Sequence, residues 1–156
     1  MEHLQRKPLG RGIRGANARS RHARSNGAAA VELAIVLPLL LMMALAAADG
    51  GRFVHQWIAV INSSRMGASY ASTHSYTVAT SANWEAGIRT AVLEELQQLP
   101  EFDAARLTVT ITPTTDSDGR QRVSVRAAYP FDTLVNWPTL PSAYPLRATT
   151  VFPMIR

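Results

Sequence analysis

The sequence predicts an α+β protein: a long N-terminal transmembrane helix, a second amphipathic helix and a small antiparallel β-sheet of about three strands. Three observations predict it. From Ala28 to Ala48 there are 21 residues, and Glu32 is the one formal charge among them. From Trp84 to Leu99 the apolar residues recur every three or four positions, the period of a helix with one buried face. From Leu107 onward the period drops to two, the period of a strand. These changes divide the chain into a basic cytoplasmic leader (1–27), a transmembrane helix (28–48), a helix extension and loop (49–80) and an extracytoplasmic α+β body (81–156).

The leader carries the charge. Residues 1–26 hold seven Arg or Lys against Glu2, a net +6, whereas residues 27–156 hold nine Arg and ten acids, a net −1. Clustered Arg suits phosphates as well as membranes, but this cluster directly precedes an apolar run. Positive flanks stay on the cytoplasmic side, so the expectation is N-terminus in, body out, with no nucleic acid as partner. Gly10, Gly12 and Gly15, with little apolar periodicity, predict a leader without regular structure. Ser25 and Asn26 are candidate caps for the helix that follows.

At about 1.5 Å rise per residue, the run from Ala28 to Ala48 reaches about 30 Å, the thickness of a bilayer's hydrocarbon core. A buried helix of a soluble domain is usually shorter and shows a polar face, and this run shows none after Glu32. A cleaved secretory signal shares the basic start and the small residues Ala46 to Ala48. Glu32 at the start of the run and Pro38 inside it are features such a signal does not require. Pro38 removes one helical donor, which membrane helices tolerate better than soluble ones.

The residues RSNGAAAVELAIVLPLLLMMALAAADGGRF, followed by INSSRMGASYAS, resemble the start of a TadE-like protein, a family of the tight-adherence pilus and secretion machinery. The resemblance is carried by Gly27 to Val31, Glu32, Leu37-Pro38-Leu39, Asp49 and Gly51-Arg52, then by Asn62, Arg65, Gly67, Ala68 and Tyr70. It covers residues 24–72, under a third of the chain. It implies a pseudopilin-like protein with Gly27 as the last leader residue, Ala28 as the new N-terminus and Glu32 at mature position five. It also implies a prepilin peptidase and other pilus or secretion-system subunits as partners, besides membrane lipid. The family often places Tyr directly after the glutamate, where this chain has Leu33. Physically, Gly27 permits close approach of an extended scissile segment. Glu32 is costly in lipid unless paired, for which a neighbouring chain's free amino group is suited.

Beyond the span, Asp49 reads as the outer boundary, and Gly50-Gly51 as a hinge or a close-packing site. Phe53, Trp57, Val60 and Ile61 continue a helical period, while Ser64, Gly67, Ala68 and Ala71 form a narrow small-residue face. That face suits packing either on the chain's own body or on a partner. Asn62 and Arg65 are placed to pair across an assembly, and Arg52 belongs to the same group of packing residues. Trp57 lies too far past Asp49 to anchor at the membrane interface.

Residues 72–80 read as a turn or loop. Ser81 to Leu99 reads as the second helix, with Asn83 as a candidate cap, a stripe of Trp84, Ile88, Val92, Leu96 and Leu99, and Pro100 as its stop. Glu94 and Glu95 are adjacent, so they point in different directions. Leu107, Val109 and Ile111 predict one strand. Pro113 to Arg120 predicts a connection turning at Asp118-Gly119, and Val123, Val125 and Ala127 predict an antiparallel partner ended by Tyr129-Pro130-Phe131. Residues 132–145 read as a stiff Pro- and aromatic-rich connection, and Ala148 to Met154 as a last strand.

The chain contains no cysteine, which excludes disulfides and thiol chemistry. His55 and His74 lack metal-ligand spacing, and Asp116-x-Asp118-Gly119 lacks the remainder of a calcium loop. Ser63, His74 and Asp103 name a triad on paper without a nucleophile elbow. The expectation is therefore a non-enzymatic protein without cofactor, and the resemblance implies a minor pilin-like or assembly subunit of a bacterial inner-membrane tight-adherence pilus or related secretion system. The alternative is an uncleaved single-span anchor for a binding or sensor module, working through an outer groove and the 132–145 connection.

Overall fold

The computed structural model describes residues 17–138 and 141–154, with side chains from Gly27 onward. The chain has two compact units, Met1–Ala44 and Leu45–Arg156. Its elements are helix α1 (Asn17–Thr73), helix α2 (Ser81–Leu96), a 3₁₀ turn (Ala104–Arg106) and strands β1 (Thr108–Thr115), β2 (Gln121–Asp132) and β3 (Ala143–Pro153). The three strands form one antiparallel sheet in the order β1-β2-β3. The fold is the α+β arrangement that the sequence periods predict.

Helix α1 begins earlier than expected. Its first residue is Asn17, so residues 17–26 are helical rather than structureless, and Ser25 and Asn26 lie inside the helix instead of capping it. The segment from Asn17 contains no proline and is rich in Ala and Arg, both strong helix formers. The rest of the leader, residues 1–16, lies outside the described residues. Helix α1 runs through Pro38 without a break in its assignment and ends where the 72–80 loop was expected.

Helix α2 shows the expected stripe: Trp84, Ile88, Val92 and Leu96 are all buried, and Leu99 follows them into the core. Each such aliphatic side chain contributes on the order of 1.5–3 kcal/mol by leaving water. Asn83 is not the cap. The helix starts after Thr80, whose hydroxyl is turned back onto Thr77: the Thr77 N–H donates to Thr80 Oγ1 at 3.1 Å. The Thr80 N–H returns a bond to Thr77 Oγ1 at 3.2 Å, so this pair stiffens the turn before the helix.

All three strands are longer than expected, and proline explains the difference. β1 continues through Pro113 to Thr115. It is an edge strand, where a residue without an N–H loses no ladder bond on the open side. β2 continues through Pro130 to Asp132, and β3 starts at Ala143, so Tyr144 and Pro145 belong to the sheet. β1 pairs with β2 only as far as Ala128, and Pro130 stands opposite Pro145. The two residues that cannot donate thus face each other where the sheet is two strands wide.

Along β2 the side chains alternate strictly. Val123, Val125, Ala127, Tyr129 and Phe131 are buried on one face, and the core is formed between this face, α2 and the Val60–Ala71 part of α1. Two glycines set the closeness of the helices. A Cβ on Gly67 of α1 would stand 2.6 Å from Val92 Cγ2 of α2, and one on Gly87 of α2 would fall inside the Tyr70 ring of α1. The small-residue face of α1 is therefore used within the chain: Gly67, Ala68 and Ala71 are buried in its own core. Ser63 and Ser64 are buried beside them with hydroxyls donating to Val60 O and Ile61 O, and Ser64 Oγ lies 2.8 Å from Thr150 Oγ1 of β3.

Candidate functional site

In the first unit the feature is the apolar helix itself. From Ala28 to Ala44 every residue is exposed, and Ile35 retains 72% of its accessible surface. A helix apolar on all sides and covered by no protein is stable in hydrocarbon, not in water. By length and composition it is able to cross a membrane. Gly27 and Ala28 are exposed within α1, with open space around the Gly27 Cα. Glu32 and Leu33 are exposed one turn further on, and Glu32 has no ion-pair partner among the described residues. Pro38 is exposed mid-helix.

In the second unit the most organised polar group is Asp49. It keeps 6% of its accessible surface, directly after the apolar run. Its Oδ1 accepts the Leu134 N–H at 2.8 Å, its Oδ2 accepts Trp137 Nε1–H at 3.0 Å, and Arg52 lies 3.4 Å away. Burial alone would raise its pKa. The N–H groups of Leu134, Trp137 and Val135, together with the Arg52 charge, outweigh burial and hold the carboxyl below its ordinary value. Asp49 is thus more than a boundary marker: it ties the connection after β2 to α1 across 85 residues of sequence. The sequence signal for it was an isolated carboxylate closing an apolar run. Its partners were not legible, since two of the four donors are backbone groups and a third, Trp137, is distant in sequence.

Arg52 reinforces the same junction. It donates to Asp132 O at 3.4 Å and its guanidinium sits 5.6 Å from the centre of the Phe131 ring. Phe53 meets Phe131 edge to face at 5.4 Å, and Gln56 Nε2 donates to Pro130 O at 3.3 Å. Nearby, Asp132 forms a two-pronged pair with Arg106; that hydrogen bond lowers the Asp132 pKa, and the same bond raises that of Arg106.

Beside Asp49 opens a cleft of about 420 Å³ lined by Ala46, Gly50, Phe53, Phe131, Thr133, Trp137, Pro141 and Tyr144 as well as Asp49. Its walls are almost wholly apolar, and both oxygens of its one carboxylate are already bonded. Such a cleft takes hydrocarbon rather than a polar ligand.

The remaining expected residues are dispersed. Gly51 and Arg65 are exposed and Asn62 is half-buried on α1, while Gly67 and Ala68 are enclosed by the body. The paper triad is not assembled: Ser63 bonds Val60 O, His74 Nδ1 lies 2.9 Å from Tyr70 O, and Asp103 Oδ1 accepts the Ala105 N–H. Asp116 and Asp118 are ion-paired to Arg122 and Arg120 around a turn in which Gly119 takes φ +78°, a left-handed conformation that favours glycine. No group of three His, Asp or Glu suited to a metal occurs among the described residues.

Comparison with curated proteins and with solved structures gives no match to this chain. A family model does match, over the apolar helix and its extension and not over the sheet. That family is associated with the Tad pilus and is structural rather than catalytic, and one helix among the described residues is long and apolar enough to serve as a single-pass membrane anchor. Residues 27–69 match the model of the TadE-like proteins, the family whose motifs the sequence resembles.

Proposed function

We propose that this protein is a minor pilin-like or assembly subunit of a bacterial tight-adherence pilus or a related secretion system. Its work is mechanical: residues 28–48 anchor it in the inner membrane, the leader stays in the cytoplasm, and the body is held outside. The observation that carries the reading is the Gly27-Ala28 pair with Glu32 five residues into the mature chain, inside the segment that matches the TadE-like model.

The prepilin peptidase cuts between Gly27 and Ala28. That bond lies inside α1, so the peptidase must first unwind about one helical turn, and Gly27, a weak helix former, makes this easier than alanine would. Cleavage removes the +6 leader and retains the span. Glu32, without an ion-pair partner among the described residues, then receives the new amino group of a neighbouring subunit, which removes the penalty of a lone carboxylate in lipid.

The test is the mature terminus. Intact-mass measurement or N-terminal sequencing of the protein from a host with active peptidase gives a chain beginning at Ala28. Gly27→Val blocks this processing while membrane insertion is retained, and Glu32→Ala is processed but assembles poorly. A full-length terminus in the presence of active peptidase rejects the pilin-like mechanism and leaves the anchor standing. A terminus near Asp49 rejects both.

A further inference from the structure

The apolar cleft beside Asp49 lies next to the residue that closes the apolar run, and that bears on its occupant. Asp49 is the residue directly after the span, and it binds Leu134 N–H and Trp137 Nε1–H. These bonds hold the residues after β2 at the level where the helix leaves the hydrocarbon. The cleft's own wall begins at Ala46, so its apolar lining starts among the last residues of the apolar run. Leu134, tied to Asp49 through its N–H, keeps 60% of its surface, and Tyr144 of the cleft wall keeps 46%, exposures suited to the boundary of a bilayer. Trp and Tyr concentrate at that boundary, where one end of the ring is dry and the other wet. Trp137 has this form: its ring lines the cleft while its N–H is bonded to Asp49.

We infer that this cleft binds an acyl chain of an outer-leaflet phospholipid, and that Leu134, Trp137 and Tyr144 seat the body on the bilayer surface. The inference rests on the membrane anchoring of residues 28–48. It assigns the interfacial anchor to residues brought to the span by tertiary structure, a role that Trp57, two turns beyond Asp49, is not positioned to fill.

The full chain is reconstituted in phosphatidylcholine vesicles with and without bromine on the acyl chains near the carbonyl end. The Trp137 fluorescence is obtained as the difference between the protein and Trp137→Phe. Brominated lipid quenches this component, and aqueous iodide does not. Gly50→Leu supplies a second readout that keeps all three tryptophans. A Cβ at Gly50 meets nothing within 4 Å, so the added side chain fills the cleft without displacing the fold, and the bromolipid quenching of Trp137 is lost. Quenching by iodide and not by brominated lipid overturns the inference. So does protection from both, which means that protein fills the cleft, and so does quenching that survives Gly50→Leu. A chain that fails to float with the vesicles overturns the anchor as well, whereas a chain that floats with Trp137 unquenched overturns the cleft alone.

Discussion

Two stretches of one helix obey different rules. Along residues 28–44 every side chain is exposed, and the sequence is apolar on all sides. Along residues 53–71 the same helix has a buried side of Val60, Ser63, Ser64, Gly67, Ala68 and Ala71, and an outer side carrying Val54, Ile58, Arg65 and Met66. Apart from Glu32 and the proposed new terminus at Ala28, the first stretch is specified by its surroundings alone, so any residue of sufficient hydrophobicity serves there. The second is specified by shape, so individual positions tolerate one residue size. The lesson is that helical continuity says nothing about what holds each part.

The comparison is broken most directly by exchanging the demands. Leu40→Arg places a charge near the middle of the span at a cost of about 2.5–3.5 kcal/mol for insertion. The expected outcome is loss of the protein from the carbonate-resistant membrane fraction, with the melting temperature of the body unchanged. Coupled loss of both shows that the body depends on the span.

Gly67→Val inverts the experiment. The Cβ alone already stands 2.6 Å from Val92 Cγ2 and 3.1 Å from Val125 Cγ1, so overpacking costs about 1–3 kcal/mol and lowers the body's melting temperature while insertion is retained. Gly51→Ala, on the same helix but in open space, has the opposite sign and stabilises by about 0.5–1 kcal/mol. Equal effects of the two substitutions contradict the close approach of α1 and α2.

Asp49→Ala sharpens the boundary between the two regimes. It leaves the Leu134 and Trp137 N–H groups without their acceptor, at about 1–3 kcal/mol. Because the folded state holds the Asp49 carboxyl below its ordinary value, its stabilisation is present at pH above the ordinary value. That stabilisation is lost as pH falls through the lowered one. The variant is therefore less stable at neutral pH, and its acid unfolding is less steep. Some acid dependence persists through Asp132, which Arg106 lowers in the same direction. Urea unfolding at a series of pH values reads both effects, and an unchanged acid limb in Asp49→Ala contradicts the cluster.

The periods of the sequence carried much of this structure. The apolar run, the Trp84–Leu96 stripe and the alternation in β1 and β2 are local patterns, and each predicts its own element. Element ends were less legible. Thr80 rather than Asn83 precedes α2 because Thr77 and Thr80 bond each other. Pro113 and Pro130 continue strands because one is on an edge and the other faces a second proline. None of these facts is local to the residue concerned.

By itself the sequence determined a helix long and apolar enough to cross a membrane, the α+β class and the buried faces of α2 and β2, because composition and period act through the nearest few residues. Only the tertiary structure decided where the small-residue face of α1 goes and what Asp49 does. Gly67 and Ala68 look the same in sequence whether they meet another chain or their own, and the structure buries them against Val92, Val125 and Ile88. Asp49 looks like a boundary residue until Leu134 and Trp137 arrive from the far end of the chain. A buried carboxylate is stable only when donors surround it, and those donors come from residues that no local pattern connects to it.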